Sequence, residues 1–198
     1  MSDLGWRPSV EVESNAGTRE VALLTRHLMK RNIFISGEIN ADMANDIIMQ
    51  LMYLQGESEE PINIYINSPG GEVTAGLLIY DVMQSLTVPV NTYCTGLAAS
   101  MGAVLLAGGQ AGRRYILPHS KTMIHEPLIS GGVGGSATSI HNISESILKT
   151  RDMLNEILAK HTGKSLKEMK KATAFDHYMN AEESVKFGMC DEIVEKLV

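Results

Sequence analysis

Apolar residues recur densely from residue 21 onward, and their period switches back and forth between that of a helix and that of a strand. VALLTRHLMKR (21–31) reads as a short amphipathic helix and NIFIS (32–36) as a strand. In NADMANDIIMQLMYL (40–54) apolar residues stand at 43, 47, 48, 51, 52 and 54, which is helical spacing. GESEEP is a loop, INIYIN (62–67) alternates as a strand, and SPGG (68–71) is a tight turn. A helix over 72–86 and a strand over 88–94 follow, then a glycine-punctuated apolar run after Ser100 that suits another helix. Helix and strand alternate at short intervals, so the fold class is α/β, built of βαβ units with mostly parallel pairing.

The second half carries the strand-like RRYILP and KTMIHEPLIS, a glycine-rich GGVGG (131–135) and a long helix over roughly 137–161. Ile143, Ile147, Leu154 and Leu158 form one stripe on that helix, with Leu148 and Ile157 beside it. Such a helix either projects toward a partner or lies over the core. SLKEMKKA and NAEESVKFG are short helices, and Asn180 with Glu183 predicts a cap with its reciprocal acid. Residues 1–20 are polar and weakly patterned and read as a flexible arm or loop. Residues 21–198 then form a single domain, which the length of 198 residues favours over two.

Composition narrows the function classes. Net charge is −6, with no basic run beyond Arg113-Arg114 and Lys170-Lys171, so a nucleic-acid partner is not expected. Cys94 and Cys190 are the only cysteines, and they form neither a disulfide framework nor a metal pattern. That fits a reducing compartment, hence a soluble cytoplasmic protein. No apolar window is long enough to span a membrane.

Four pieces carry candidate chemistry. Ser100 precedes the apolar run; there it is either a small packing residue or a nucleophile, and the free N–H groups of a helix start would stabilise an oxyanion beside it. SPGG stands between a strand and a helix, where paired glycines leave N–H groups free for a ligand. It is no phosphate loop, lacking both Gly-Lys-Ser/Thr and Gly-x-Gly-x-x-Gly spacing. Of six histidines, His125 alone follows an apolar strand directly into a loop; His27, His141 and His161 read as solvated helix residues. Asp176 lies in a break between two helices, flanked by Phe175 and Tyr178, the setting of a buried carboxylate.

INSPGGEVTAGLLIYDVMQ, GLAASMGAVLLAGG, RYILPHSKTMIHEP and NAEESVKFGMCDEIV resemble, in order and spacing, the proteolytic subunit of the Clp protease. The resemblance runs over roughly residues 20–198. It implies the crotonase-like fold of that family and a serine peptidase with Ser100 as nucleophile, His125 as base and Asp176 as orienting carboxylate. It further implies an oxyanion hole from the N–H groups of Gly71 and Met101. Substrate would add as an extended strand along Gly70, Gly71, Glu72 and Val73 on one side and Pro127 and Leu128 on the other. The family's architecture implies sevenfold rings stacked as a tetradecamer and joined by a handle, here about 127–161. Its partner is an AAA+ unfoldase of the Clp type, which uses the ATP; the peptidase itself needs no metal or cofactor.

The chain departs from the family pattern in two places. The N-terminal arm, SVEVESNAGTREVA, lacks the usual motifs of the axial loop. The acidic residue and arginine that precede the catalytic aspartate in the family are Ala174 and Phe175 here, which implies weaker or differently controlled ring–ring association, with a paralogous subunit as one way to complete the barrel. A low-activity paralogue of a mixed barrel and a crotonase-like acyl-CoA enzyme are the competing readings.

Overall fold

The structure is a computed structural model that describes residues 8–14, 17–129 and 131–197. The expectation for residues 1–7 lies outside the described residues. The rest of the N-terminal segment departs from the arm expected of it. Strands β1 (Ser9–Ser14) and β2 (Gly17–Ala22) pair antiparallel, with Val10 opposite Val21 and Glu11 opposite Glu20. Helix α1 (Leu23–Met29) is accordingly shorter than predicted, because residues 21 and 22 belong to β2.

Strands β3 (Asn32–Ser36), β4 (Ile62–Ser68) and β5 (Val90–Ala99) run parallel in a seven-stranded sheet, with β3 at its edge. On one face Ile33, Ile35, Ile64, Ile66 and Cys94 are fully buried. Helix α2 (Ala41–Glu57) turns Ala44, Ile47, Leu51 and Leu54 inward at helical spacing, and α3 (Val73–Ser85) adds Ala75, Ile79 and Met83. Asn40 caps α2 by accepting from Met43 N–H at 2.9 Å. On the other face Phe34, Tyr65, Tyr93 and Tyr115 stack across four strands with centroids 4.9–5.1 Å apart.

The ten-residue β5 is longer than the sequence pattern predicted and changes partner along its length. Its Thr92–Cys94 pairs with β6 (Arg114–Ile116), and its Leu97–Ala99 pairs with β7 (Lys121–Ile124), both parallel. The buried α4 (Met101–Ala107) leaves from the end of β5. Helix α5 (Ala137–Thr162) is capped by Ser136 and closed by Gly163, whose φ of 72° suits a residue without Cβ. Its first half is exposed, while Leu154, Asn155 and Leu158 are buried. The predicted stripe therefore divides: its C-terminal half meets the core and its N-terminal half, with Ile143, projects.

Helix α6 (Leu166–Ala172) begins with a capping box from Ser165 and Glu168. The break predicted after it contains a strand, β8 (His177–Met179), which pairs antiparallel with β7. Helix α7 (Ala181–Phe187) has the predicted box from Asn180 and Glu183. Strand β9 (Glu192–Ile193) closes the sheet on β6. The result is mixed α/β with a mostly parallel central sheet, as the sequence pattern implied.

Candidate active site

The register of three strands gathers the candidate residues at one end of the sheet. In the β5–β7 pair Ala99 stands opposite Met123, and Ser100 N–H donates to Met123 carbonyl at 2.9 Å. In the β7–β8 pair Ile124 stands opposite His177, so the next position out sets His125 opposite Asp176. His125 Nδ1 lies 3.5 Å from Asp176 Oδ1. Residues far apart in the chain thus meet because two strands end together beside β5.

Ser100 has φ of 52° and ψ of −121°, one of two described non-glycine residues with positive φ. Such a conformation costs on the order of 1–3 kcal/mol and persists only where surrounding structure enforces it. It swings the chain from strand into α4, leaving Met101 N–H at a helix start with no partner inside the helix. Gly70 permits this close approach: a Cβ built on it would lie 2.6 Å from Ser100 Cβ and 3.1 Å from Met101 N. Gly71 forms a parallel bridge with Ile39, through Ile39 N–H to Gly70 carbonyl and Glu72 N–H to Ile39 carbonyl. Both bonds belong to the residues flanking Gly71, so its own N–H faces away from Ile39. The SPGG turn and the Ser100–Met101 elbow are therefore packed together.

Three features differ from expectation. Asp176 is not a buried carboxylate: its side chain is 61% exposed, against 15% for His125. The reason is that Phe175 and Tyr178, read as its apolar cover, are 85% and 58% exposed and turn to solvent. Among the described residues no hydrogen bond joins Ser100 Oγ to His125, a looseness common in unliganded sites. Val73 opens α3, so the extended edge on that side runs only from Gly70 to Glu72. On the other side Pro127 is half-buried and Leu128 exposed. A cleft of about 400 Å³ opens beside Asp176, lined in part by Phe175 and His177.

His161, read as solvated, is half-buried and shares a 2.8 Å hydrogen bond with Tyr80 Oη. Burial, with the charges of Lys160 and Arg114, lowers its pKa to about 4. Arg114, which the sequence marks as part of a basic pair, pairs its guanidinium with Asp191 and donates to the carbonyls of Ala107, His161 and Gly188. Those carbonyls end α4, α5 and α7, so one cation satisfies three helix C-termini. Burial alone would raise the Asp191 carboxyl, but the Arg114 hydrogen bonds hold it below its ordinary range. The only sequence signal was a charge, Arg114, inside an otherwise strand-like segment.

Cys94 and Cys190 are free and buried, and burial pushes the Cys94 thiol up to about 11. Among the described residues no cluster of His, Cys, Asp and Glu is arranged to hold a metal, and no helix is long and apolar enough to cross a membrane.

The Clp protease family model matches residues 15–197. With a match over nearly the whole chain and a mostly parallel α/β fold consistent with that family, the protein belongs to the Clp protease family as a proteolytic subunit.

Proposed function

We propose that the protein is a serine endopeptidase that cleaves unfolded polypeptides. Ser100 Oγ attacks the peptide carbonyl carbon while His125 takes the hydroxyl proton and later gives it to the leaving amine. Asp176, beside Nδ1, holds the imidazole tautomer and stabilises the imidazolium. The N–H groups of Gly71 and Met101 receive the oxyanion; one such donor is worth about 2.7–4 kcal/mol of barrier. Water then hydrolyses the acyl-enzyme by the same relay in reverse. Substrate lies as an extended strand between Gly70–Glu72 and Pro127–Leu128, held by main-chain hydrogen bonds that are nearly blind to sequence.

One observation carries this reading: the shared register of β5, β7 and β8, which sets a strained serine, a histidine and a carboxylate at a single sheet end. The chemistry needs no metal or organic cofactor. In the family's manner, heptameric rings stacked as a tetradecamer would enclose the sites, and an AAA+ unfoldase would feed chains in at the expense of ATP. The buried free thiols fit a cytoplasmic setting.

Hydrolysis of a fluorogenic peptide by the assembled protein tests the assignment. Ser100→Ala and His125→Ala each lower kcat by roughly 10⁶-fold and Asp176→Asn by about 10⁴-fold. Activity that survives Ser100→Ala contradicts it. The exposed Asp176 and its 3.5 Å approach favour one second reading, a low-activity subunit completed by a paralogue. That reading predicts a silent purified chain that gains Ser100-dependent activity on mixing with the paralogue.

A further inference from the structure

Asp176 sits outside its short strand and is mostly solvated, so its own surroundings do little to hold it beside His125. The segment leading to it is anchored instead at Thr173, which ends α6 and is 2% exposed. The Thr173 hydroxyl donates to Asn155 Oδ1 at 2.8 Å and lies 3.1 Å from the Met169 carbonyl. The Thr173 carbonyl accepts the N–H of Glu126 at 2.8 Å. Glu126 is the residue after His125. Asn155 is itself 2% exposed and belongs to the buried half of α5, next to Leu154. One threonine therefore joins three parts: the long helix through its hydroxyl, the backbone after His125 through its carbonyl, and Asp176 three residues along its own chain.

A buried amide among leucines and methionines is costly unless it is hydrogen-bonded. An apolar residue at 155 would serve core packing alone. Among the described residues, no hydrogen bond joins the side chain of Asn155 or Thr173 to Ser100, His125 or Asp176; the partners of the Thr173 hydroxyl are Asn155 Oδ1 and the Met169 carbonyl. We propose that Asn155 and Thr173 are a positioning pair, whose buried hydrogen bond fixes the Thr173 carbonyl on Glu126 and so sets His125 and Asp176 side by side. This inference rests on the serine-peptidase reading.

The experiment compares kcat, KM and melting temperature of the assembled protein across three variants. Thr173→Ser keeps both hydrogen-bonding groups. Thr173→Val keeps the shape and deletes the hydroxyl, leaving Asn155 Oδ1 unpartnered. Asn155→Leu with Thr173→Val replaces both partners with apolar groups, a change that is often close to neutral for stability. Thr173→Val is expected to lower kcat by on the order of tenfold to a hundredfold with KM within about twofold of wild type. Thr173→Ser restores kcat. The double variant regains melting temperature while kcat stays low. Full recovery of kcat with stability in the double variant, or an unchanged kcat in Thr173→Val, overturns the proposal. If Thr173→Val does not fold, the double variant decides by its kcat. A protein whose activity survives Ser100→Ala overturns the parent reading and this inference together. A Ser100-dependent protein indifferent to the double substitution overturns this inference alone.

Discussion

Ser100 holds a backbone conformation that side chains seldom adopt, and Gly70 makes room for it. Gly70, at φ of 96°, lies where a Cβ would press on Ser100 Cβ. Gly70→Ala is therefore expected to lower stability by about 2 kcal/mol, from positive φ and overpacking together, and to reduce kcat by displacing Ser100 and Met101. Urea unfolding and peptide hydrolysis on the same preparation check this; a variant of wild-type stability and activity contradicts it. As candidates, Ser100 stands out in the sequence because it precedes an apolar run, and His125 because an apolar strand ends at it. Asp176 was legible as a position but not as an environment. Phe175 and Tyr178 suggested burial, yet next to a strand at the sheet's edge those side chains face solvent. Asn155 and Thr173 gave no signal, since their meaning lies in a contact between residues 18 apart.

Helices and strands followed their periodicity closely, and the failures have physical causes. The β1–β2 hairpin was missed because its alternation rests on three valines among charged and small residues. Strand β8 was missed because three residues are too few to display a period. The junction of α4, α5 and α7 on Arg114 could not be read at all, because helix C-termini carry no mark of where they converge. Arg114→Met leaves the Asp191 carboxylate without its cation and is expected to cost about 3 kcal/mol in chemical denaturation. His161 at the end of α5 adds a pH dependence. Its folded pKa lies below the ordinary 6.5, at about 4, so between those values the unfolded chain binds a proton that the folded one does not. Stability is full above about pH 6.5 and falls as pH drops through that window. His161→Gln, which can still bond Tyr80, is expected to flatten melting temperature against pH there. An unchanged slope would assign the dependence to other groups.

A single chain leaves apolar surface that a folded protein ordinarily covers. Phe175 beside the candidate site, Leu128 after His125, and Ile140, Ile143 and Leu148 on the projecting half of α5 are all exposed. Isolated apolar side chains need no explanation, but a run of them along one helix calls for a partner. The stacking proposed above, if it runs through this helix, would cover them. Because Ala174 and Phe175 replace a charged pair that the family uses between rings, stacking is expected to be weak. Native mass spectrometry should show single rings growing at the expense of double rings on dilution, and a double ring that persists at every concentration contradicts the expectation. The proposed peptidase mechanism depends on Ser100 acting as the nucleophile. The most direct measurement is peptide mapping of the assembled protein after treatment with a fluorophosphonate, which reacts only with activated serines. One covalent adduct is expected, on Ser100, abolished by His125→Ala; an unmodified Ser100 in a sample that is hydrolysing peptide would contradict the mechanism.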